Sequence, residues 1–112
     1  MNQGISLIVY PVKDLAQAKT LYSAFLGVEP YVDGPYYVGF KVGEQEFGLD
    51  PNGHSQGITG PVSYREVIDI HVARQLLLDS GAQMQREVQD VGNGLLICIL
   101  KDADNNFIGL RQ

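Results

Sequence analysis

Ile5–Gly27, ISLIVYPVKDLAQAKTLYSAFLG, is the stretch whose reading decides the fold. Ile5–Tyr10 is apolar on both faces apart from Ser6, the pattern of a strand covered on each side. Pro11 turns the chain. Asp14 is a natural N-cap, and Gln17 three residues on completes a capping-box pattern. Leu15, Ala18, Tyr22, Phe25 and Leu26 then fall on one helical face, with Gln17, Lys19, Thr20 and Ser23 elsewhere. Gly27 stands at the C′ position, where a left-handed backbone suits glycine. The reading is strand, capped helix, stop.

Working outward, Val28–Val32 reads as a short strand. Tyr36–Val42 and Gln45–Leu49 read as a hairpin around Gly43-Glu44. Asp50–Gly57 is turn chemistry throughout, and Gly60-Pro61 closes it. Then the order repeats. A strand at Val62–Val67 leads to a helix from Asp69 with Ile70, Ala73, Leu76 and Leu77 inward, stopping at Ser80-Gly81. Strands follow at Gln83–Val88, Leu95–Leu100 and Phe107–Arg111, with turns at Gly92-Asn93-Gly94 and Asp102–Asn106. The order β-α-β-β-β is used twice, and Phe47-Gly48-Leu49 ends the first half much as Phe107-Ile108-Gly109-Leu110 ends the second. The expectation is a single α+β domain over residues 1–112. Module one covers about 4–50, a linker about 51–61, and module two about 62–112.

At 112 residues one domain with one substantial core is expected. The net charge of −5 and the scatter of the eight basic residues leave no stripe for a polyanion, so no nucleic-acid partner is expected. No basic n-region precedes the short apolar run Ile5–Val9, and no run approaches a membrane span. One cysteine, Cys98, excludes an internal disulfide. A soluble cytoplasmic protein is the simplest expectation.

The string VYPVKDLAQAKTLYSAFLG resembles the opening signature of the vicinal oxygen chelate superfamily, also called the glyoxalase/bleomycin-resistance/dioxygenase superfamily. The ending KDADNNFIGL is similar to its closing D-P-D-G-N-x-I-x-L motif, with Ala103 in place of the usual Pro and Asn105 in place of the usual Gly. The resemblance covers nearly the whole chain. It implies paired βαβββ modules whose curled mixed sheets form a cleft, completed in short members by a homodimer. In metal-using members it implies one His, Glu or Gln ligand from the first strand of each module and one from the last strand of each. Carried over, those positions fall on Leu7, Gly48, Val62 (Ser63 if the register slips) and Gly109. None of these side chains binds a divalent cation, which needs imidazole, carboxylate or thiolate at short fixed distances. The expectation is therefore no metal and no cofactor, with metal-dependent catalysis disfavoured.

Other motifs fail on their own terms. Asp102, Asp104 and Asn106 have calcium-loop spacing, but the sixth position is Phe107 and the twelfth lies beyond Gln112. His54, in a Gly/Pro/Asn loop, and His71, early in a helix, belong to no metal or catalytic pattern; solvated surface histidines are the default. Cys98 lies in an apolar run and reads as an inert buried thiol. Glycines at 48 and 109 leave room where ligand side chains would otherwise project. Tyr31, Tyr36, Tyr37 and Phe40 form an aromatic cluster, divided between core and cleft. Strand parity puts Leu7 on the cleft face with Gly48, Tyr64, Glu66, Gly109 and Arg111. Glu66 and Arg111 read equally as cleft groups or as a weak pair at exposed strand ends. Leu7, Tyr37, Gly48, Tyr64, Glu66, Gly109 and Arg111 are the candidate ligand-binding residues. The function expected is metal-free binding of a small hydrophobic or aromatic molecule. The alternative is a metal-dependent lyase, isomerase or dioxygenase, with His54, Glu46, Glu66 and Asp50 as available ligands. A metal-independent enzyme with Glu66 as general base, and a purely structural dimer, remain open.

Overall fold

The computed structural model describes residues 4–112. Ser6–Pro61 form one compact unit, module one, and Val62–Gln112 form most of another, module two. The fold is α+β. Each module lays one helix against one face of a four-stranded mixed sheet.

Module one runs β1 (Leu7–Pro11), α1 (Leu15–Leu26), β2 (Val32–Asp33), β3 (Val38–Val42) and β4 (Gln45–Asp50). Its strands lie in the order β2-β3-β4-β1. β1 pairs parallel with β4; the other pairings are antiparallel. The Asp14 carboxylate accepts from the Gln17 amide at 3.0 Å, and Gly27 ends the helix at φ 74°. Ala18 of α1 packs on Val38, Phe40 and Leu49, with Leu15, Tyr22 and Leu26 around it. Phe25, expected on this face, is 71% exposed. It sits about 100° around the helix from Leu26, at the margin of the stripe, and its ring meets the edge of Tyr22 at 6.2 Å. β2 is shorter and later than the expected Val28–Val32. Pro30 has no amide hydrogen to give a ladder, and Val28 packs into the core instead. Tyr36 and Tyr37 precede β3 rather than belonging to it, in the turn that Gly34 N–H closes onto Tyr37 O at 3.0 Å. After β4, a 3-10 turn covers His54–Gln56.

Module two runs β5 (Val62–Glu66), α2 (Ile70–Asp79), β6 (Gln83–Asp90), β7 (Leu96–Lys101) and β8 (Phe107–Arg111). Its order is β5-β8-β7-β6, with β5 parallel to β8. Asp69 accepts from the amides of His71 and Val72, and the Gln112 side chain accepts from the Ile70 amide at 2.7 Å. Four orphan donors begin any helix; here three of them are met by two side chains. Ile70, Cys98, Leu100 and Leu110 form the core, with Ala73 and Leu77 packed against it. Leu76, expected inward, is 61% exposed, because it lies about 100° behind Leu77 on the helix. β6 extends two residues past the expected Val88 and shifts register on both sides of Arg86.

The Asp102–Asn106 turn is closed by one carboxylate. Asp102 accepts from the amides of Asp104 and Asn106 and from the Asn106 side chain, each at 2.9 Å. Asn105 takes φ 63°, a left-handed value that asparagine tolerates where glycine is usual. The Asn106 side-chain hydrogen bond, seconded by the loop amides, holds the Asp102 carboxyl below its ordinary range. That carboxylate is therefore a structural clasp for the turn.

Candidate functional site

Strand pairing decides which side chains share a face. In module one, Leu7 pairs with Glu46, Val9 with Gly48, Gly39 with Gly48, and Lys41 with Glu46. Their sequence neighbours Tyr10, Val38, Phe40, Phe47 and Leu49 pack with α1. Since side chains alternate along a strand, Leu7, Val9, Gly39, Lys41, Glu46 and Gly48 all point away from the helix. In module two, Val62 pairs with Phe107, Tyr64 with Gly109, Glu66 with Arg111, and Ile99 with Gly109. Cys98, Leu100 and Leu110 pack toward α2, so Val62, Tyr64, Glu66, Gly109 and Arg111 point away from it. Ser63 pairs with Ile108 and takes the opposite side from Tyr64.

The helix-free face of module one has a glycine floor. Gly39 and Gly48 stand opposite each other on β3 and β4. Two tyrosines lie over them. A Cβ placed at Gly39 would stand 3.2 Å from the Tyr37 ring and 3.4 Å from the Tyr31 ring. A Cβ at Gly48 would stand 2.6 Å from Tyr37 Cζ and 2.8 Å from its Cε1, with the phenol oxygen closer still. Two facing glycines with aromatic rings laid over them are a known device for stabilising bare strand backbone. The Tyr31 hydroxyl also donates to Glu46 Oε1 at 2.6 Å, the short length of a hydrogen bond to a charged carboxylate.

Module two repeats the arrangement with another tyrosine. A Cβ at Gly109 would meet the Tyr64 ring at 2.6 Å from both Cγ and Cε1. Tyr64 is only 5% exposed and paired in register beside Gly109, so its ring is held over that glycine. The room expected above Gly48 and Gly109 is therefore filled, in each module, by a tyrosine ring. Sequence reasoning missed this because Tyr37 and Tyr64 reach their glycines from other strands or loops; a signal lay in the parity that sets Tyr64 beside Gly109.

Glu66 and Arg111 meet at the end of the same face, Arg111 Nη2 to Glu66 Oε1 at 3.4 Å. The two ends differ: the Arg111 side chain is 11% exposed and Glu66 56%. Glu66 also borders a shallow depression of about 410 Å³ beside Ile68, Val72 and Leu76 at the start of α2. The aromatic cluster divides three ways. Phe40 is fully buried, Tyr36 is 75% exposed, and Tyr31 and Tyr37 cover the glycine floor.

The residues where the resemblance would place metal ligands do not fit a metal. Leu7, Gly48, Val62 and Gly109 offer no donor atoms, and a donor side chain at 48 or 109 would run into a tyrosine ring. Among the described residues, no three His, Cys, Asp or Glu side chains gather closely enough to hold an ion. The alternative ligands are engaged elsewhere: Asp50 Oδ1 accepts from the Asn52 amide at 2.8 Å, Glu46 from Tyr31, and Glu66 pairs with Arg111. His54 sits in the 3-10 turn. Cys98 is fully buried, and burial pushes its thiol up to about 11, which removes it as a nucleophile. Among the described residues, no helix is long and apolar enough to cross a membrane.

The chain belongs to the Glyoxalase/Bleomycin resistance protein/Dioxygenase superfamily, whose profile matches residues 4–110. No curated protein matches its sequence. Among solved structures, it is similar to one described as an NAD-dependent benzaldehyde dehydrogenase from Legionella pneumophila, with TM-score 0.75 and 14% identity over 94% of this chain and 96% of that one. It is also similar to a glyoxalase/bleomycin resistance protein/dioxygenase superfamily member from Vibrio splendidus 12B01, with TM-score 0.71 and 14% identity over 100% and 99% of the two chains. A Streptomyces coelicolor methylmalonyl-CoA epimerase in complex with 2-nitronate-propionyl-CoA matches at TM-score 0.69 and 15% identity, over 99% and 94%. At such identity these likenesses speak for the fold alone.

Proposed function

We propose that this protein is a binding member of the superfamily that works without a metal, holding a small hydrophobic or aromatic molecule on the helix-free faces of its modules. One observation carries the reading: a tyrosine ring lies over Gly48 and another over Gly109, the positions where the resemblance would place metal ligands. Replacing a donor side chain with a flat aromatic surface exchanges metal chelation for stacking and apolar contact. Pockets for organic molecules are built mostly of such surface, with a few placed polar groups. In this reading Leu7 and Tyr37 supply the apolar surface, the buried Gly48, Tyr64 and Gly109 form the floor beneath it, and Glu66 and Arg111 are the polar groups. The strands of module one end near residue 50 and those of module two begin near 62, with about 51–61 as the linker between them. The working form is a homodimer, as the family resemblance implies, and the setting cytoplasmic.

Thermal-shift screening against a library of planar aromatic compounds tests the reading. Stabilisation by several degrees is expected for at least one compound, since a ligand at 100 times its Kd adds about 2.7 kcal/mol. A library that produces no shift sinks the reading. Elemental analysis of the purified protein addresses the metal-dependent alternative: a stoichiometric transition metal would establish it. Sizing by light scattering checks the dimer.

A further inference from the structure

We propose that Asn93, at the tip of the β6–β7 hairpin, is a self-modification site, where the Gly94 nitrogen converts the side-chain amide with time into aspartate and isoaspartate. The inference is independent of what the protein binds. Four asparagines lie among the described residues, and two of them, Asn52 and Asn93, precede glycine. A following glycine favours this chemistry, because no Cβ blocks its nitrogen from reaching the neighbouring side chain. Asn93 and Gly94 are the central residues of a turn, with φ 54° and 77°, closed by the Leu95 amide donating to Gly92 O at 3.0 Å. This is the primed turn that tight hairpins prefer. Residues 91–95 are all exposed, and a Cβ at Gly92 or Gly94 would meet nothing within 4 Å. Among the described residues, no carbonyl accepts the Gly94 N–H. A tip this bare opens at little cost.

The other asparagines are held. The Asn52 amide donates to Asp50 Oδ1 and its carbonyl accepts from Ser55 Oγ, both at 2.8 Å. Gly53 is buried, a Cβ there would stand 2.7 Å from Pro11 Cβ, and its carbonyl accepts from the amides of Gln56 and Ile58. That peptide cannot turn its nitrogen onto the Asn52 side chain without unfolding the loop. Asn105 has a left-handed backbone like Asn93, at φ 63°, but the Asn106 nitrogen is committed to Asp102 Oδ1 at 2.9 Å. Asn106 ties its own side-chain amide to Asp102 Oδ2 and precedes the bulky Phe107.

At Asn93 the Gly94 nitrogen attacks Cγ. The new N–Cγ bond closes a cyclic imide. The amide proton passes through water to the departing Nδ2, the Cγ–Nδ2 bond breaks, and ammonia leaves. Water then opens either imide carbonyl. One opening gives aspartate; the other runs the main chain through Cγ as isoaspartate. Both products add a negative charge to a tip that the Asp90 carboxylate already caps by accepting from the Gly92 amide. Isoaspartate also lengthens the main chain inside the turn that brings Asp90 opposite Leu96.

Peptide mapping by mass spectrometry after incubation at pH 8 tests the site, with the chain denatured in guanidinium chloride as the comparison. In the folded protein, amide loss at Asn93 is expected to run about tenfold or more faster than at Asn52 or Asn105, because only the hairpin tip opens without global unfolding. Aspartate and isoaspartate peptides should both appear, resolved by chromatography. In the denatured chain Asn52 and Asn93 are expected to react at similar rates, since only the fold distinguishes the two Asn-Gly pairs. The folded-state rate at Asn93 is expected to rise from pH 6 to pH 8, as removal of an amide proton requires. Asn93→Gln, which would need a larger ring, is expected to leave the folded chain without a fast site. Loss at Asn52 that matches Asn93 in the folded protein overturns the inference. So does an Asn93 that survives in the folded chain while reacting in the denatured one, or a rate at Asn93 that ignores pH.

Discussion

Substituting alanine for Gly109 asks whether the tyrosine-over-glycine contact is as tight as its geometry. Neither Gly109 nor Gly48 uses a left-handed backbone, so an added Cβ causes no dihedral strain. Alanine would even gain about 0.5 kcal/mol from reduced chain entropy. The cost is steric. At Gly109 the new Cβ stands 2.6 Å from Tyr64 Cγ, where carbon atoms prefer about 3.5–4.0 Å. Cγ is the ring atom nearest the backbone, and Tyr64 is buried on a strand paired directly to Gly109. The ring can clear the Cβ only by changing rotamer or spreading β5 from β8. Overpacking of this kind costs about 1–3 kcal/mol, and the rigidity here puts Gly109→Ala near the top, about 2–3 kcal/mol net. At Gly48 the close atoms are the far end of Tyr37, half-buried and outside regular strand, which swings aside at lower cost. Gly48→Ala should lose about 1 kcal/mol or less. Urea unfolding would read the difference as a midpoint lower by about 1–2 M for Gly109→Ala and a smaller shift for Gly48→Ala. Pairing Gly109→Ala with Tyr64→Leu should show a coupling of about 1 kcal/mol or more. A Gly109→Ala variant within about 0.5 kcal/mol of the parent, or less destabilised than Gly48→Ala, would refute the reasoning.

Three further outcomes follow from the same structure. A protein carrying Gly48→His and Gly109→Glu together should still purify without stoichiometric metal by elemental analysis, because the tyrosine rings occupy the space those donors need. Cys98 should resist thiol reagents in the folded protein and react on unfolding. Its thiol is raised from 9.0 to about 11 by burial, so the unfolded chain ionises first. Stability should therefore fall as pH rises from about 9 toward 11, by on the order of 2–3 kcal/mol, and Cys98→Ala should flatten that slope in pH-dependent melts. Asp14→Ala, which removes the acceptor for the Gln17 amide, should cost about 1 kcal/mol in thermal or urea unfolding.

The strand and helix order was legible because its signals are local. Asp14, Asp69 and Gly27 act on amides or dihedrals within a few residues, and all three behave in the structure as their positions imply. Edges of helical faces were less legible. Phe25 and Leu76 are apolar and fit an inward stripe by count, yet both are exposed, because a helix on a sheet buries a narrower arc than its apolar residues span. Pro30, with no amide hydrogen to give a ladder, stands between the expected start at Val28 and the observed β2 at Val32–Asp33. The tyrosine contacts were not legible as contacts. Register pairs Tyr64 with Gly109 and Gly39 with Gly48 across the sheet, and only the three-dimensional pairing shows that the rings lie down on the glycines. The likeness to a known family drew attention to positions 48 and 109; it did not tell that tyrosine rings lie over them.

The paired fillings have a consequence for how this chain can change. For position 109 to carry a donor side chain, the donor must appear there and Tyr64 must shrink. Either step alone is harmful: the first forces a side chain into the ring, and the second leaves a void beside a bare glycine backbone. Position 48 and Tyr37 pose the same requirement in milder form. Placing a donor at position 109 one substitution at a time thus passes through a less stable intermediate. Single substitutions at either residue therefore disturb a contact that the pair shares.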